Sequence, residues 1–105
     1  MRENDFQRGL KKELKERYPG CYVLKNDPTM IQGIPDLTIL YKDKWASLEV
    51  KKDEATARSA MRGKSGGRPN QTTHVARMND MSYAAYIYPE NKEEILNELD
   101  RRFKA

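Results

Sequence analysis

Two β-prone runs, Asp36–Tyr41 (DLTILY) and Trp45–Lys51 (WASLEVK), flank the turn Lys42-Asp43-Lys44 and predict an antiparallel hairpin. If Lys42-Asp43 is a two-residue turn, paired positions sum to 85, and Asp36 stands directly opposite Glu49. A register change of two still leaves the pair diagonal neighbours. The strand period of two puts Lys51 on the Glu49 face and Leu37, Ile39, Leu48 and Val50 on the other, which supplies the core. Carboxylates facing each other about 5 Å apart repel, and opposed like charges destabilise a sheet. Elsewhere the chain keeps ordinary local rules, and a break in them marks a place where function is expected. A divalent cation resolves the conflict. Hard oxygen ligands on adjacent strands suit Mg²⁺, with Mn²⁺ as its substitute, because Mg²⁺ binds through one or two carboxylates plus substrate phosphate. Lys51 beside such an ion can orient an attacking water and stabilise charge on a phosphate.

The elements around the hairpin follow from pattern. Phe6, Leu10 and Leu14 recur at helical spacing, with Asn4 or Asp5 as the cap and Pro19-Gly20 as the stop. Cys21–Lys25 (CYVLK) is a short strand, broken by Asn26-Asp27-Pro28 into a loop that runs to about Gly33. Residues 52–70 show no apolar periodicity. This stretch reads as partly helical at its Ala-rich start and then as a mobile basic loop. Pro69–Met81 reads as a helix with Thr72, Val75, Ala76 and Met78 on its apolar side. Tyr83–Tyr88 (YAAYIY) is a fourth strand stopped by Pro89, and Glu90–Lys104 is a helix on Ile95, Leu96, Leu99 and Phe103. The predicted order is α-β-β-β-α-β-α in one domain spanning 1–105.

Composition narrows the chemistry. Leu, Ile, Val and Phe number only 18 of 105, yet the net charge is just +4, and six Tyr and one Trp can fill a modest core. One cysteine cannot form an internal disulfide, and Cys21 reads as a small buried hydrophobe. One His and one Cys exclude a zinc finger, and catalytic triads are disfavoured, with His74 reading as a surface helix residue. The longest apolar stretch, Tyr83–Tyr88, is far short of the roughly 20 residues of a membrane span. The N-terminus lacks the apolar core of a secretory signal, so a cytoplasmic setting is expected. The chemistry is left to carboxylates, lysines and a hard metal, with no organic cofactor.

Gly33-Ile34-Pro35-Asp36, followed by Glu49-Val50-Lys51 twelve positions after Leu37, resembles the PD-(D/E)XK nuclease signature. The closer likeness is to VRR-NUC-type nucleases and to small phage endonucleases akin to Holliday-junction resolvases. It covers roughly residues 3–88. The resemblance implies a restriction-endonuclease-like αβββαβ core, a four-stranded mixed sheet flanked by helices, with the C-terminal helix added. It implies Asp36 and Glu49 as metal ligands with the Val50 carbonyl as a third, Lys51 as the catalytic lysine, and Gln71 as a supporting residue from the following helix. Glu3 matches the acidic residue that such proteins often carry on helix one, with Glu13 or Glu16 as alternatives. A homodimer is implied too, and host cytoplasm if the chain is phage-encoded.

Five basic residues against two acidic ones give residues 52–70 a charge of +3, immediately downstream of the acidic pair. A polyanion gripping Lys52, Arg62, Lys64 and Arg68, with Lys25 nearby, would bring a phosphate to Glu49. Aromatic residues are absent from this run, so phosphate contact rather than base stacking is implied. The function expected is a Mg²⁺-dependent endonuclease acting on duplex or branched DNA. The rival readings are a non-catalytic DNA-binding or regulatory module on the same fold, and an accessory protein docking on a partner's acidic surface.

Overall fold

The Lys42-Asp43 turn forms as expected, and it fixes the register of the whole hairpin. In the computed structural model, which describes residues 1–62 and 71–104, strand β2 (Leu37–Tyr41) pairs antiparallel with β3 (Lys44–Val50), from Leu37 opposite Leu48 to Tyr41 opposite Lys44. Lys42 takes φ 57°, a left-handed conformation costing a residue with a Cβ roughly 1–2 kcal/mol. Asn tolerates this region better. Lys42→Asn is therefore expected to raise stability by about 0.5–1 kcal/mol, read by chemical denaturation.

The other strands join on either side. Strand β1 (Tyr22–Lys25) pairs antiparallel with β2, and β4 (Tyr83–Ile87) pairs parallel with β3. The fold is thus mixed α/β, with a four-stranded mixed sheet in the order β1-β2-β3-β4 and helices on both faces. A parallel neighbour requires a long crossover. Here the crossover contains α2 (Glu54–Arg62) and α3 (Gln71–Met81), so among the described residues there is one more distinct α-helix than in the predicted order. Arg62 closes α2 rather than lying in a loop. Residues 63–70, which carry most of the predicted mobile basic loop, lie outside the described residues.

One sheet face carries Leu37, Ile39, Ala46, Leu48, Val50, Tyr83 and Ile87. On it pack α1 (Glu3–Arg17) through Phe6, Leu10 and Leu14, and α4 (Lys92–Phe103) through Ile95, Leu96, Leu99 and Phe103. Tyr18, following α1, adds its ring to this core. The two helices are tied by Asp100, which accepts from Arg17 Nε at 3.0 Å, from Arg17 Nη2 at 2.6 Å and from the Tyr18 hydroxyl at 2.6 Å. The Arg17 guanidinium is the main reason that the Asp100 carboxyl falls to about 2.

Several local expectations differ in detail. Helix α1 starts at Glu3, so Asn4 and Asp5 lie inside its first turn. The Arg2 carbonyl accepts from the Asp5 and Phe6 N–H groups without any side-chain cap. A 3₁₀ turn, Pro89–Asn91, precedes α4, which delays that helix to Lys92. Trp45 is only half-buried, and the core aromatics are Tyr18, Tyr83, Tyr86, Phe6 and Phe103. Cys21 is likewise half-buried, beside the core. Ala76 is exposed and α3 buries no residue fully, so its apolar side is weaker than its sequence suggests. Among the described residues no helix is long and apolar enough to cross a membrane.

Candidate active site

The segment before β2 explains how the acidic pair is placed. Gly33, at φ 81°, makes a turn that a residue with a Cβ would resist, and the Ile34 N–H closes it on the Ile31 carbonyl at 3.2 Å. Pro35 is fully buried and lacks an N–H, so Ile34 is held extended and the chain enters β2 without a donor to satisfy. Asp36 follows at once, just ahead of the backbone ladder. Its own N–H donates to Glu49 Oε1 at 3.1 Å, and the Val50 N–H donates to Asp36 Oδ2 at 3.0 Å. Each carboxylate therefore accepts from the backbone of the opposite strand. The register that pairs Leu37 with Leu48 puts Asp36 and Glu49 opposite each other, as the spacing predicts.

Burial is the larger surprise. Glu49 is 1% exposed, on a side of the sheet where α3 packs against β3 and β4. Its carboxyl is pushed up to about 7, by desolvation first and by the Asp36 charge second. Lys51 and the Asp36 N–H pull in the other direction without cancelling the rise. Lys51 Nζ sits 3.2 Å from Glu49 Oε2 and donates to Gln71 Oε1 at 3.0 Å. Asp36, Glu49, Lys51 and Gln71 thus come together. Gln71 is the first residue of α3, and its carboxamide fixes the lysine rather than facing the carboxylates.

The remaining predicted residues are placed differently. Val50 lies in β3 between Glu49 and Lys51, so its carbonyl is part of the site's backbone. Glu3 opens α1, which packs on the opposite sheet face. Glu13 pairs with Lys92 at 2.9 Å, and Glu16 is exposed. Among the described residues no three His, Cys, Asp or Glu side chains converge on a shared ion position. The inward face of helix one is taken by Phe6, Leu10 and Leu14. Lys25 pairs with Leu37, which places it on the Leu37 side of the sheet, away from the acidic pair. Lys52 and Arg62 are exposed at the two ends of the α2 segment, while Lys64 and Arg68 lie outside the described residues.

Two neighbours of the site have no counterpart among the residues expected from sequence. Tyr86 is the parallel-ladder partner of Glu49, and its buried hydroxyl lies 2.8 Å from Thr72 Oγ1. His74, one turn beyond Gln71, is a helix residue at the surface as expected, and its Nε2 lies 3.0 Å from the Gln32 carbonyl oxygen. It ties α3 to the loop before Asp36. Neither contact has a local signal, because both join segments far apart in the chain.

The residues present suit a hard divalent cation. Two carboxylates face each other, one of them buried and held above its ordinary range, and adjoining water or phosphate oxygens can complete a shell of the Mg²⁺ type. Comparisons with protein-family models, with curated proteins and with solved structures give no match.

Proposed function

We propose that this chain is a metal-dependent endonuclease that hydrolyses phosphodiester bonds in duplex or branched DNA, on a core of the restriction-endonuclease-like kind. The observation that carries the reading is the facing of Asp36 and Glu49, with Lys51 held between Glu49 and Gln71. A purely structural hairpin gains nothing from two opposed carboxylates, one of them buried. The likeness of Gly33-Ile34-Pro35-Asp36 and Glu49-Val50-Lys51 to the PD-(D/E)XK signature, and to VRR-NUC-type nucleases within it, points the same way.

In this reading Asp36, Glu49 and the Val50 carbonyl hold Mg²⁺ or Mn²⁺. When bound, the ion polarises a phosphate oxygen and makes a water more acidic. Lys51 does the positioning. An ammonium has three N–H donors, and Gln71 and Glu49 take two of them. The third is left for the attacking water or a phosphate oxygen. Desolvation strengthens that interaction, since the lysine side chain is only 14% exposed. The protein supplies prearranged charge, and water is the nucleophile. Two copies of the chain about a two-fold axis would set one site on each DNA strand.

A cleavage panel over linear, nicked, flapped and four-way DNA tests the proposal, run with Mg²⁺, with Mn²⁺ and with EDTA. Cutting that needs the metal is expected. DNA binding with no cutting under any condition would favour the non-catalytic module instead. Grip on the substrate is a separate expectation. Replacing Arg62, Lys64 and Arg68 by Ala should weaken DNA binding and lower the log–log salt slope by about 0.9 for each phosphate that is no longer neutralised. Binding titrations at several salt concentrations read it, and an unchanged slope means that these residues do not touch the DNA backbone.

A further inference from the structure

Helix α3 delivers Gln71 to Lys51, whose ammonium donates to the Gln71 carboxamide oxygen at 3.0 Å. The helix has no fully buried side chain to anchor it, and Val75 and Met78 are only half-buried. Apolar packing alone is therefore a weak determinant of where its first turn sits. Polar contacts contribute there as well. Thr72, the next residue along, has its hydroxyl 2.8 Å from the Tyr86 hydroxyl, and it also makes a long 3.5 Å bond to the Ala60 carbonyl in α2. A hydroxyl has one proton to give. With the Thr72 proton on Ala60, the Tyr86 O–H is the donor and Thr72 Oγ1 the acceptor.

Tyr86 is itself buried within the sheet. It is 6% exposed, sits in β4 and is paired in register with Glu49 on β3. The contacts form a closed ring: Glu49 to Lys51, Lys51 to Gln71, Gln71 along the chain to Thr72, Thr72 to Tyr86, and Tyr86 across the ladder to Glu49. Lys51 has two of its partners, Glu49 and Gln71, in this ring.

We propose that Tyr86 is a positioning residue for Lys51, acting through the hydroxyl of Thr72 and the carboxamide of Gln71. The proposal rests on the nuclease reading for its effect on rate, but its geometry can be tested without cleavage. In this arrangement Tyr86 acts through Thr72 and Gln71 rather than on the substrate itself. Its hydroxyl fixes the start of α3, and α3 fixes the direction of the ammonium.

Four variants decide it. Tyr86→Phe and Thr72→Val each remove the shared hydroxyl contact and are expected to lower single-turnover cleavage about tenfold, with the KM for DNA within about twofold of wild type. The double variant should lose no more than either single one, because both delete the same bond. Thr72→Ser keeps a hydroxyl and should rescue the rate. A merely structural role would instead lower the active fraction and leave the rate per active molecule intact. Independently, the NMR signals of the Gln71 side-chain amide should move in Tyr86→Phe toward their positions in Lys51→Ala. A Tyr86→Phe protein that cuts at the wild-type rate overturns the proposal, as does one that loses rate while the Gln71 amide stays in place. If wild-type protein cuts no DNA with any metal, the nuclease reading falls alone. The Gln71 signals then still decide the positioning: movement in Tyr86→Phe supports it, and no movement refutes it.

Discussion

Asp36→Asn is expected to abolish the proposed metal-dependent cleavage, by a factor on the order of 10³ or more, and to leave the metal-free protein as stable as wild type or more so. The two halves of this result have one cause. The Asn side-chain oxygen still accepts from the Val50 N–H, so the backbone contact that seats residue 36 survives. The charge facing Glu49 would be gone, and with it both a proposed cation ligand and a repulsion at the buried Glu49 carboxyl. Glu49→Gln should be equally inactive. Its Oε1 can still accept from the Asp36 N–H, but its amide nitrogen then meets the Lys51 ammonium donor to donor. Its metal-free stability should therefore hold rather than rise. Cleavage assays beside thermal melts in EDTA read both parts. A destabilised Asp36→Asn protein would mean that the pair is a structural hydrogen-bond motif.

A second large effect lies in the pH dependence of metal-free stability. The Glu49 carboxyl is raised from 4.5 to about 7 in the fold. A folded-state value above the unfolded one means that the folded protein holds this proton more tightly. The stability it contributes is complete below pH 4.5 and is lost as pH climbs through about 7. Up to about 3 kcal/mol is involved at 1.36 kcal/mol per pH unit. Metal-free protein should thus grow more stable on acidification from pH 7.5 to about 4.5, the reverse of ordinary acid denaturation. Below that, Asp100 takes over: its carboxyl lies near 2, so its support for the α1–α4 contact disappears as pH falls beneath the unfolded value of 3.8. Urea melts across pH 4.5–7.5 measure the first effect, and Glu49→Gln should flatten it. Saturating Mn²⁺ at pH 7.5 should restore the stability that ionisation removed, by mass action on the folded state.

How much of this was legible in the sequence depends on the range over which each feature is determined. The hairpin register was legible because a two-residue turn leaves one antiparallel pairing, and alternation of Leu37, Ile39, Leu48 and Val50 with polar neighbours admits one inward face. That sufficed to set Asp36 against Glu49. The burial of Glu49 was not legible, since α3, the helix that packs on β3 and β4, has a weak apolar side and buries no described residue fully. The partnership of Tyr86 with Glu49 depends on a parallel register set by a crossover of more than thirty residues, for which no local turn provides a rule. Glu3 illustrates the converse. An acidic residue at a helix start answers to the helix dipole wherever it occurs, so its position says little about metal ligation.

Calorimetric titration of Mn²⁺ into wild type, Asp36→Asn, Glu49→Gln and Lys51→Ala tests the central claim most directly. Wild type should bind, with affinity falling as pH drops below about 7 because Glu49 must give up its proton to ligate. Both carboxylate variants should show no binding. Lys51→Ala should bind at least as well as wild type, since an ammonium is not a ligand and its removal lessens repulsion, while its cleavage activity is lost. Mn²⁺ binding that persists in Asp36→Asn or Glu49→Gln would contradict a cation site built on this facing pair.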